Sequence, residues 1–390
     1  MKKTKWLALA LGLALLAGCQ VQAPPVSSEE AAGGVPTGQE EGSQSVPVEA
    51  PGAASEPETE PVITTVTISA VGDVTLGTNQ KQSYKGSFHD YYDDYGSEYF
   101  LQNVRGVFEN DDFTILNFEG TLTESEEPMD KLWNHKGKPE YIRVLQNSSI
   151  EGVTLGNNHI MDYLQQGADD TMAAFEGIGM EYALSGEWGN RYGLYETEKG
   201  VKIGFVSVNE HYDEDNVYPW LEDGLKTLRA RGADLVFACV HWGGDKTHKL
   251  EKAQYVMGKW CIDQGFDLVL GCHPHVLQGI ERYKGRYIVH SMGNFCYGGN
   301  KNPEEKDSMI FQQTFTFVDG ALEYDPQGIR VIPCRLSSVT DKNDYCPVVL
   351  EGEEAEQTIA NLNTYCEEFG TVFDMEGYLV EYRDTSQPQA

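Results

Sequence analysis

Two apolar runs in the second half of the sequence stop abruptly at histidine. One ends Val240-His241-Trp242-Gly243-Gly244-Asp245, and the other ends Gly271-Cys272-His273-Pro274-His275. Three runs in the first half stop at other polar residues: Asp73, Glu119 and the pair Asn158-His159. An apolar run ending in polar residues is the pattern of a buried strand that delivers side chains to the carboxyl edge of a sheet, where open α/β sheets place their ligands. Two carboxylates, an amide and three or four imidazoles make a donor set for one or two divalent cations. Mixed oxygen and nitrogen donors suit Mn, Fe or Zn better than Mg or Ca. The candidate ligands are Asp73, Glu119, Asn158, His241, His273 and His275. Metals in such a site activate water and stabilise charge on a phosphoryl or carbonyl oxygen. A single buried imidazole means much less, because core histidines are common.

The elements that must position these residues follow from periodicity. Val62–Val71 alternates as a first strand, with short strands expected at Phe113–Leu116 and Val153–Leu155. Further strands are expected at Asp234–Val240 and Phe266–Leu270, and hairpins at Tyr192–Val208 and Gly279–His290. Met309–Val318 and Ile329–Leu336 read as antiparallel strands. Helices are expected at Glu98–Asn110, Pro139–Asn147, Ala168–Ile178, Leu221–Arg231, Leu250–Gln264 and Glu353–Phe369. Tyr84–Gly96 is aromatic and acidic without clean periodicity and reads as a loop or lid. Strand and helix alternate at first and hairpins dominate later, which points to a mixed, two-sheet α/β sandwich flanked by helices.

Residues 1–19 read as an export leader: Lys2, Lys3 and Lys5, an apolar run Trp6–Leu16, then Leu16-Ala17-Gly18-Cys19. The last four resemble a lipoprotein processing site, with Cys19 lipidated and the protein held extracytoplasmically on the bacterial membrane. Residues 20–61 are Pro-, Gly-, Ser- and Glu-rich without Lys or Arg and read as a disordered acidic tether. The folded domain is expected over 62–385. A net charge of −32 argues against nucleic acid, whose phosphates require a basic surface. A polyanionic substrate would need a local basic or metal-centred site. Seven cysteines remain after Cys19, irregularly spaced and without a CxxC pair, which argues against a disulfide framework. Cys346–Cys366 stays open as a possible bridge.

The motifs Ala70-Val-Gly-Asp-Val-Thr-Leu-Gly77, Asn117-Phe-Glu-Gly120 and Leu155-Gly-Asn-Asn-His159 resemble those of the CapA family. So do His241-Trp-Gly243, Gly271-Cys-His-Pro-His275 and Ser291-Met-Gly-Asn-Phe295. This is the poly-γ-glutamate capsule biosynthesis group of the calcineurin-like metallophosphatase superfamily. The resemblance implies a four-layer α/β/β/α sandwich with mixed sheets and a dinuclear-type metal site. It places the six candidate ligands where the superfamily's ligands or their replacements sit, and gives His159 the role of stabilising or protonating the reacting group, with Asp73 as its catalytic partner at the metals. The superfamily begins Asp-x-His, whereas here Val74 and Thr75 follow Asp73, and Asn117-Phe-Glu119-Gly replaces Gly-Asp-x-x-Asp. Cys272 stands where relatives carry another histidine, so it either adds a soft ligand or packs.

The expectation is therefore an envelope-anchored CapA-type protein with a metal-dependent hydrolase-like site. Its expected partners are an anionic, poly-γ-glutamate-like polymer or a small substrate, and other capsule-synthesis membrane proteins. Two alternatives stay open: a non-catalytic polymer-binding or assembly subunit, and a metallophosphodiesterase. Asp245 is a candidate to orient His241, or else a plain loop residue. Trp133–Lys136 and Glu210-His211-Tyr212 are candidate cleft residues, and Asn294 a hydrogen-bonding neighbour of the site.

Overall fold

The computed structural model describes residues 60–387 apart from 187–188, 212–213 and 327. The leader, Cys19 and nearly all of the tether lie outside the described residues. Alternation along the first strand, Ile63–Thr75, sets the layering. Val66, Ile68 and Ala70 point to one face and Val71 to the other, as the two-residue period of a strand requires. This strand sits inside a nine-stranded sheet. It pairs parallel with Phe113–Phe118 and antiparallel with Asp307–Val318. Gly152–Thr154 and Glu181–Ala183 extend the parallel side.

The second sheet has six strands. Lys202–Asn209, Leu235–His241, Leu268–Cys272 and Arg286–Val289 run parallel, and antiparallel edges form at Gly193–Glu196 and Ile280–Tyr283. Its residues alternate in the same way. Phe205 and Phe237 face the first sheet, while Val206, Val236 and Val240 face outward. Between the sheets Phe113 meets Phe205, and Phe237 meets Phe315, each at 5.9 Å between ring centroids. Burying each such side chain stabilises the fold by about 1.5–3 kcal/mol.

Helices close both outer faces. Leu164–Gly177 and shorter helical segments cover the first sheet, with Phe100, Phe108 and Phe175 buried against Leu116 and Phe118. Glu214–Ala230 and Lys252–Gln264 cover the second, through Leu221, Leu228, Met257 and Ile262. The result is the expected four-layer α/β/β/α sandwich. Helix Lys252–Gln264 starts two residues later than periodicity suggests, because Glu251 and Gln254 form a capping box. It ends at Gly265 in the left-handed region (φ 109°). Gly352–Cys366 inserts Ile359, Leu362 and Cys366 into the inter-sheet core.

Three expectations are corrected. Tyr84–Gly96 is not simply a loop: Phe88–Tyr95 is helical, capped by the Ser87 hydroxyl, and Phe88 stacks on Phe100 at 4.2 Å. Only Phe88 of this helix is buried, so it shows no helical apolar stripe. The continuous helix expected at Glu98–Asn110 is broken into a 3₁₀ turn, Ser97–Tyr99, and a single turn, Arg105–Phe108. The Cys346 thiol donates to Tyr99 O at 3.1 Å and accepts from Asn103 Nδ2 at 3.2 Å, engaging groups between the two turns. Cys346 and Cys366 do not bridge. Cys366 Sγ instead accepts from Ile280 N at 3.2 Å, and all seven cysteines from Cys239 to Cys366 are free and buried.

Candidate metal centre

The first strand delivers Asp73 through a close approach of backbones. Asp73 N donates to Gly293 O at 2.9 Å, and a Cβ on Gly72 would lie 1.8 Å from that same oxygen. Glycine is therefore required beside the carboxylate. Asn117, at the end of the neighbouring strand, donates from Nδ2 to Asp73 Oδ1 at 2.7 Å. Glu119 follows two residues later and is fully buried.

The loop after Leu268–Cys272 supplies two imidazoles from backbone that non-glycine residues seldom adopt, with φ 100° at His273 and 58° at His275. Such strain persists where the surroundings impose it and gathers at functional sites. His273 N donates to Asp73 Oδ2 at 3.3 Å, and His275 Nδ1 lies 3.2 Å from the same oxygen. Asn294 holds His275 as well, its Oδ1 3.0 Å from the same Nδ1 and its Nδ2 donating to His275 O at 3.1 Å. His241 Nε2 lies 3.0 Å from Asn158 Oδ1 and 3.0 Å from His273 Nδ1.

All six predicted ligands thus converge, and Glu119 lies among them. Its oxygens stand 3.6 Å from His241 Nε2, 3.7 Å from His159 Nε2 and 3.7 Å from His275 Nδ1. Neither oxygen has a hydrogen-bond partner among the described residues. A buried carboxylate without partners is costly, and ring nitrogens at these separations flank it without bonding to it. Donor atoms of Glu119, His273 and His275 all lie within 4.8 Å of one another. The residues fit a divalent cation, which would complete the coordination of Glu119.

Electrostatics agree with that fit at His241 and not at His275, whose proton must leave before the ring can ligate. Burial pushes the Glu119 carboxyl well up, opposed chiefly by His275. Burial lowers His275, but Glu119 and Asp73 outweigh it and lift the imidazole to about 10. Burial, reinforced by His273 and His275, holds His241 well below the ordinary imidazole value. His159 is likewise depressed, by burial and then by Lys131. Neutral imidazoles are the form that ligates metals.

His159 belongs to a second cluster that the sequence reading did not assemble. Its Nδ1 lies 2.7 Å from Asp162 Oδ2, and Asp162 also accepts from His135 N and pairs with Lys131 Nζ. The His135 ring stacks on His159 with centroids 4.1 Å apart. Donor atoms of His135, His159 and Asp162 lie within 4.8 Å of one another, but Asp162 is already engaged by three partners. Asp162 stands three residues after His159, a spacing without apolar punctuation to flag it, and Lys131 comes from a loop. Asn157 serves as scaffold, with Nδ2 donating to Phe118 O at 2.7 Å and Oδ1 accepting from His159 N at 3.0 Å.

Asp245 does not orient His241. It lies 3.1 Å from His273 Nε2, and that hydrogen bond, opposed by burial, lowers its carboxyl to about 2. Cys272 is buried in the inter-sheet core, its thiol pushed up by burial and by Asp73. The His211 ring stands 4.4 Å from that of His273; Tyr212 lies outside the described residues. The centre opens into a cleft of about 1030 Å³ bordered by Trp133, His135, Asn158, His159, His275 and Asn294. That exceeds what a small monoester requires and suits an extended ligand.

Comparison with known proteins shows the family. The family model described as "Bacterial capsule synthesis protein PGA_cap" matches residues 67–298, a span containing every candidate ligand. The capsule biosynthesis protein CapA of Bacillus anthracis is 26% identical over 268 residues, covering 63% of each chain. The PGA biosynthesis protein CapA of Bacillus subtilis (strain 168) is 27% identical over 252 residues, covering 59% of this chain and 62% of that one. The chain therefore matches less than two thirds of the length of these relatives. A crystal structure of a hypothetical protein from Thermus thermophilus aligns with 68% of this chain and 98% of its own, at 14% identity and a TM-score of 0.42.

Proposed function

The chain belongs to the bacterial capsule synthesis protein PGA_cap family, and from that premise we propose a metal-dependent, hydrolase-like envelope protein acting on an anionic polymer of the poly-γ-glutamate type. The observation that carries this reading is the fully buried carboxylate of Glu119, which has no hydrogen-bond partner among the described residues and is set among imidazole nitrogens. Asp73, Glu119, Asn158, His241, His273 and His275 would hold one or two ions of the Mn, Fe or Zn type. Bound there, a divalent cation supplies Lewis acidity toward a carbonyl or phosphoryl oxygen.

The chain's own groups do the rest. Asp162 fixes the His159 ring through Nδ1, which turns Nε2 toward Glu119. Nε2 is thereby placed to take up a proton at the reacting group and to return it. Asp73, locked by Asn117 and His273 N, keeps its carboxylate in place without rearrangement. The leader and Leu16-Ala17-Gly18-Cys19 support lipid anchoring on the outer side of the membrane, where the protein would meet the membrane components of capsule synthesis.

One observation favours a second, non-catalytic reading. At the position of the superfamily's missing imidazole, Thr75 donates from Oγ1 to Glu119 O at 2.7 Å, a structural use of the residue. A polymer-binding or assembly subunit would keep the fold with reduced metal loading. Elemental analysis together with turnover assays on γ-glutamyl oligomers and on phosphate esters separates the readings. Metal with amide turnover supports the hydrolase and metal with ester turnover a phosphodiesterase. Polymer binding without metal or turnover supports the assembly role.

A further inference from the structure

Tyr297 stands beside the metal centre at the end of the short strand Asn294–Tyr297. That strand pairs parallel with the first, so that Asn294 lies opposite Asp73 and Tyr297 opposite Thr75. The strand that carries the Asp73 carboxylate therefore also fixes the tyrosine backbone. The ring lies between two imidazoles. Its centroid is 5.1 Å from that of His275 and 6.0 Å from that of His135, whose plane is nearly perpendicular to it. His275 is a candidate ligand, and His135 stacks on His159. The phenol ring thus spans from the metal ligands to the group placed to carry the proton.

Two glycines after it make this position possible. Gly298 N donates to Thr75 O at 2.9 Å, and a Cβ on Gly298 would lie 1.9 Å from Gly77 O. A Cβ on Gly299 would lie 2.6 Å from the Tyr297 hydroxyl oxygen and 2.9 Å from His135 Cε1. The hydroxyl and the His135 ring therefore approach each other over Gly299, and all three residues border the cleft.

The hydroxyl bonds to nothing within the chain. Tyr297 is 8% exposed, and its hydroxyl has no hydrogen-bond partner among the described residues. Other buried tyrosines use theirs: Tyr141 bonds to His89 Nδ1, Tyr287 to Pro326 O and Tyr345 to Gly86 O. A buried Tyr O–H usually finds a partner, and a ring that only packed would need no hydroxyl. The Tyr297 oxygen is not sealed from solvent, so an acceptor entering the cleft can reach it. A phenol carries its proton at neutral pH and can donate it in a hydrogen bond.

We propose that Tyr297 contacts the substrate, its phenol donating a hydrogen bond to a carbonyl or phosphoryl oxygen of the reacting group. Attack by water places negative charge on such an oxygen, and a fixed neutral donor stabilises that charge without having to move. The proposal rests on the hydrolase-like reading above.

Tyr297→Phe keeps the ring against His275 and His135 and removes only the hydroxyl. The metal-loaded full chain is titrated calorimetrically with inorganic phosphate and, separately, with a defined γ-linked glutamate oligomer. The variant is expected to bind at least one probe about tenfold more weakly, as the loss of one hydrogen bond to a charged or polarised oxygen implies. Metal content and the urea midpoint should stay at wild-type levels. Weaker phosphate binding places the phenol on a phosphoryl oxygen, and weaker oligomer binding places it on an oxygen of the polymer. A full chain carrying a fluorinated tyrosine at this position alone reads the same contact with the hydroxyl in place, because its fluorine resonance should shift as the probe saturates. Wild-type affinity of the Tyr297→Phe chain for both probes, or a resonance that stays put, would overturn the contact and leave the hydrolase-like reading standing. A metal-loaded wild type that binds neither probe would overturn both.

Discussion

His275 Nδ1 lies 3.2 Å from Asp73 Oδ2, joining residues 202 positions apart in sequence at the seam between the two sheets. The pair ties the end of the first strand to the strained loop after Leu268–Cys272, and Glu119 closes the group from the next strand. The oxygen donors come largely from one sheet and the imidazoles from the other, so the centre exists only when the sandwich is assembled.

A metal that binds this assembled site and not the unfolded chain stabilises the fold by mass action. Chelation is therefore expected to lower the urea midpoint, and Mn or Zn at a hundred times its dissociation constant should add about 2.7 kcal/mol. Equilibrium denaturation with and without chelator reads this directly. Equal midpoints in the two conditions would count against a native-state metal.

Gly72→Ala forces a methyl into Gly293 O and has no free space to use. A loss of about 3 kcal/mol or more is expected, the range reached when backbone must move. Metal affinity should fall with it, because Asp73 rides on the displaced strand. Gly106→Ala, which meets nothing within 4 Å, is the matched control in the same denaturation series.

Asp162→Asn takes the anion from Lys131 and weakens the grip on His159 Nδ1. Leaving buried polar partners unsatisfied costs about 1–3 kcal/mol. Urea denaturation should show that loss, and metal content should be unaffected because Asp162 is not among the ligands.

Much of this centre was legible before any coordinates. The runs ending at His241 and Cys272-His273 are strands buried on both faces, so they read as unbroken apolar stretches with sharp polar ends. Asp73, Glu119 and Asn158 carry the same signature. Asp162, Lys131 and Asn117 were not assigned roles, because their importance comes from tertiary hydrogen bonds that leave no periodic mark. Asp245 was offered the wrong partner for a related reason. Proximity in sequence favoured His241, whereas the turn after Gly243, at φ 76°, carries the carboxylate to His273. The Phe88–Tyr95 helix escaped notice because a single buried ring anchors it.

Asp111 gives a pH dependence outside the metal centre. Burial lifts its carboxyl to about 7, the Ser69 and Thr114 hydroxyls pull it down, and Glu151 and Asp112 push it up. The folded state binds this proton more tightly than the unfolded chain, whose carboxyl titrates near 3.9. The contribution is fully present below about pH 4 and is lost as pH rises through 7. Between pH 5 and 7.5, Asp111→Asn should lose less stability than the wild type, as read from paired urea midpoints.

The most direct test of the central claim is elemental analysis of the purified full chain beside His273→Ala/His275→Ala, with circular dichroism to show that both are folded. The account predicts one or two equivalents of Mn, Fe or Zn in the wild type and a loss of metal in the double variant. Equal metal in a folded double variant, or a wild type that takes up none when offered these ions, would contradict it.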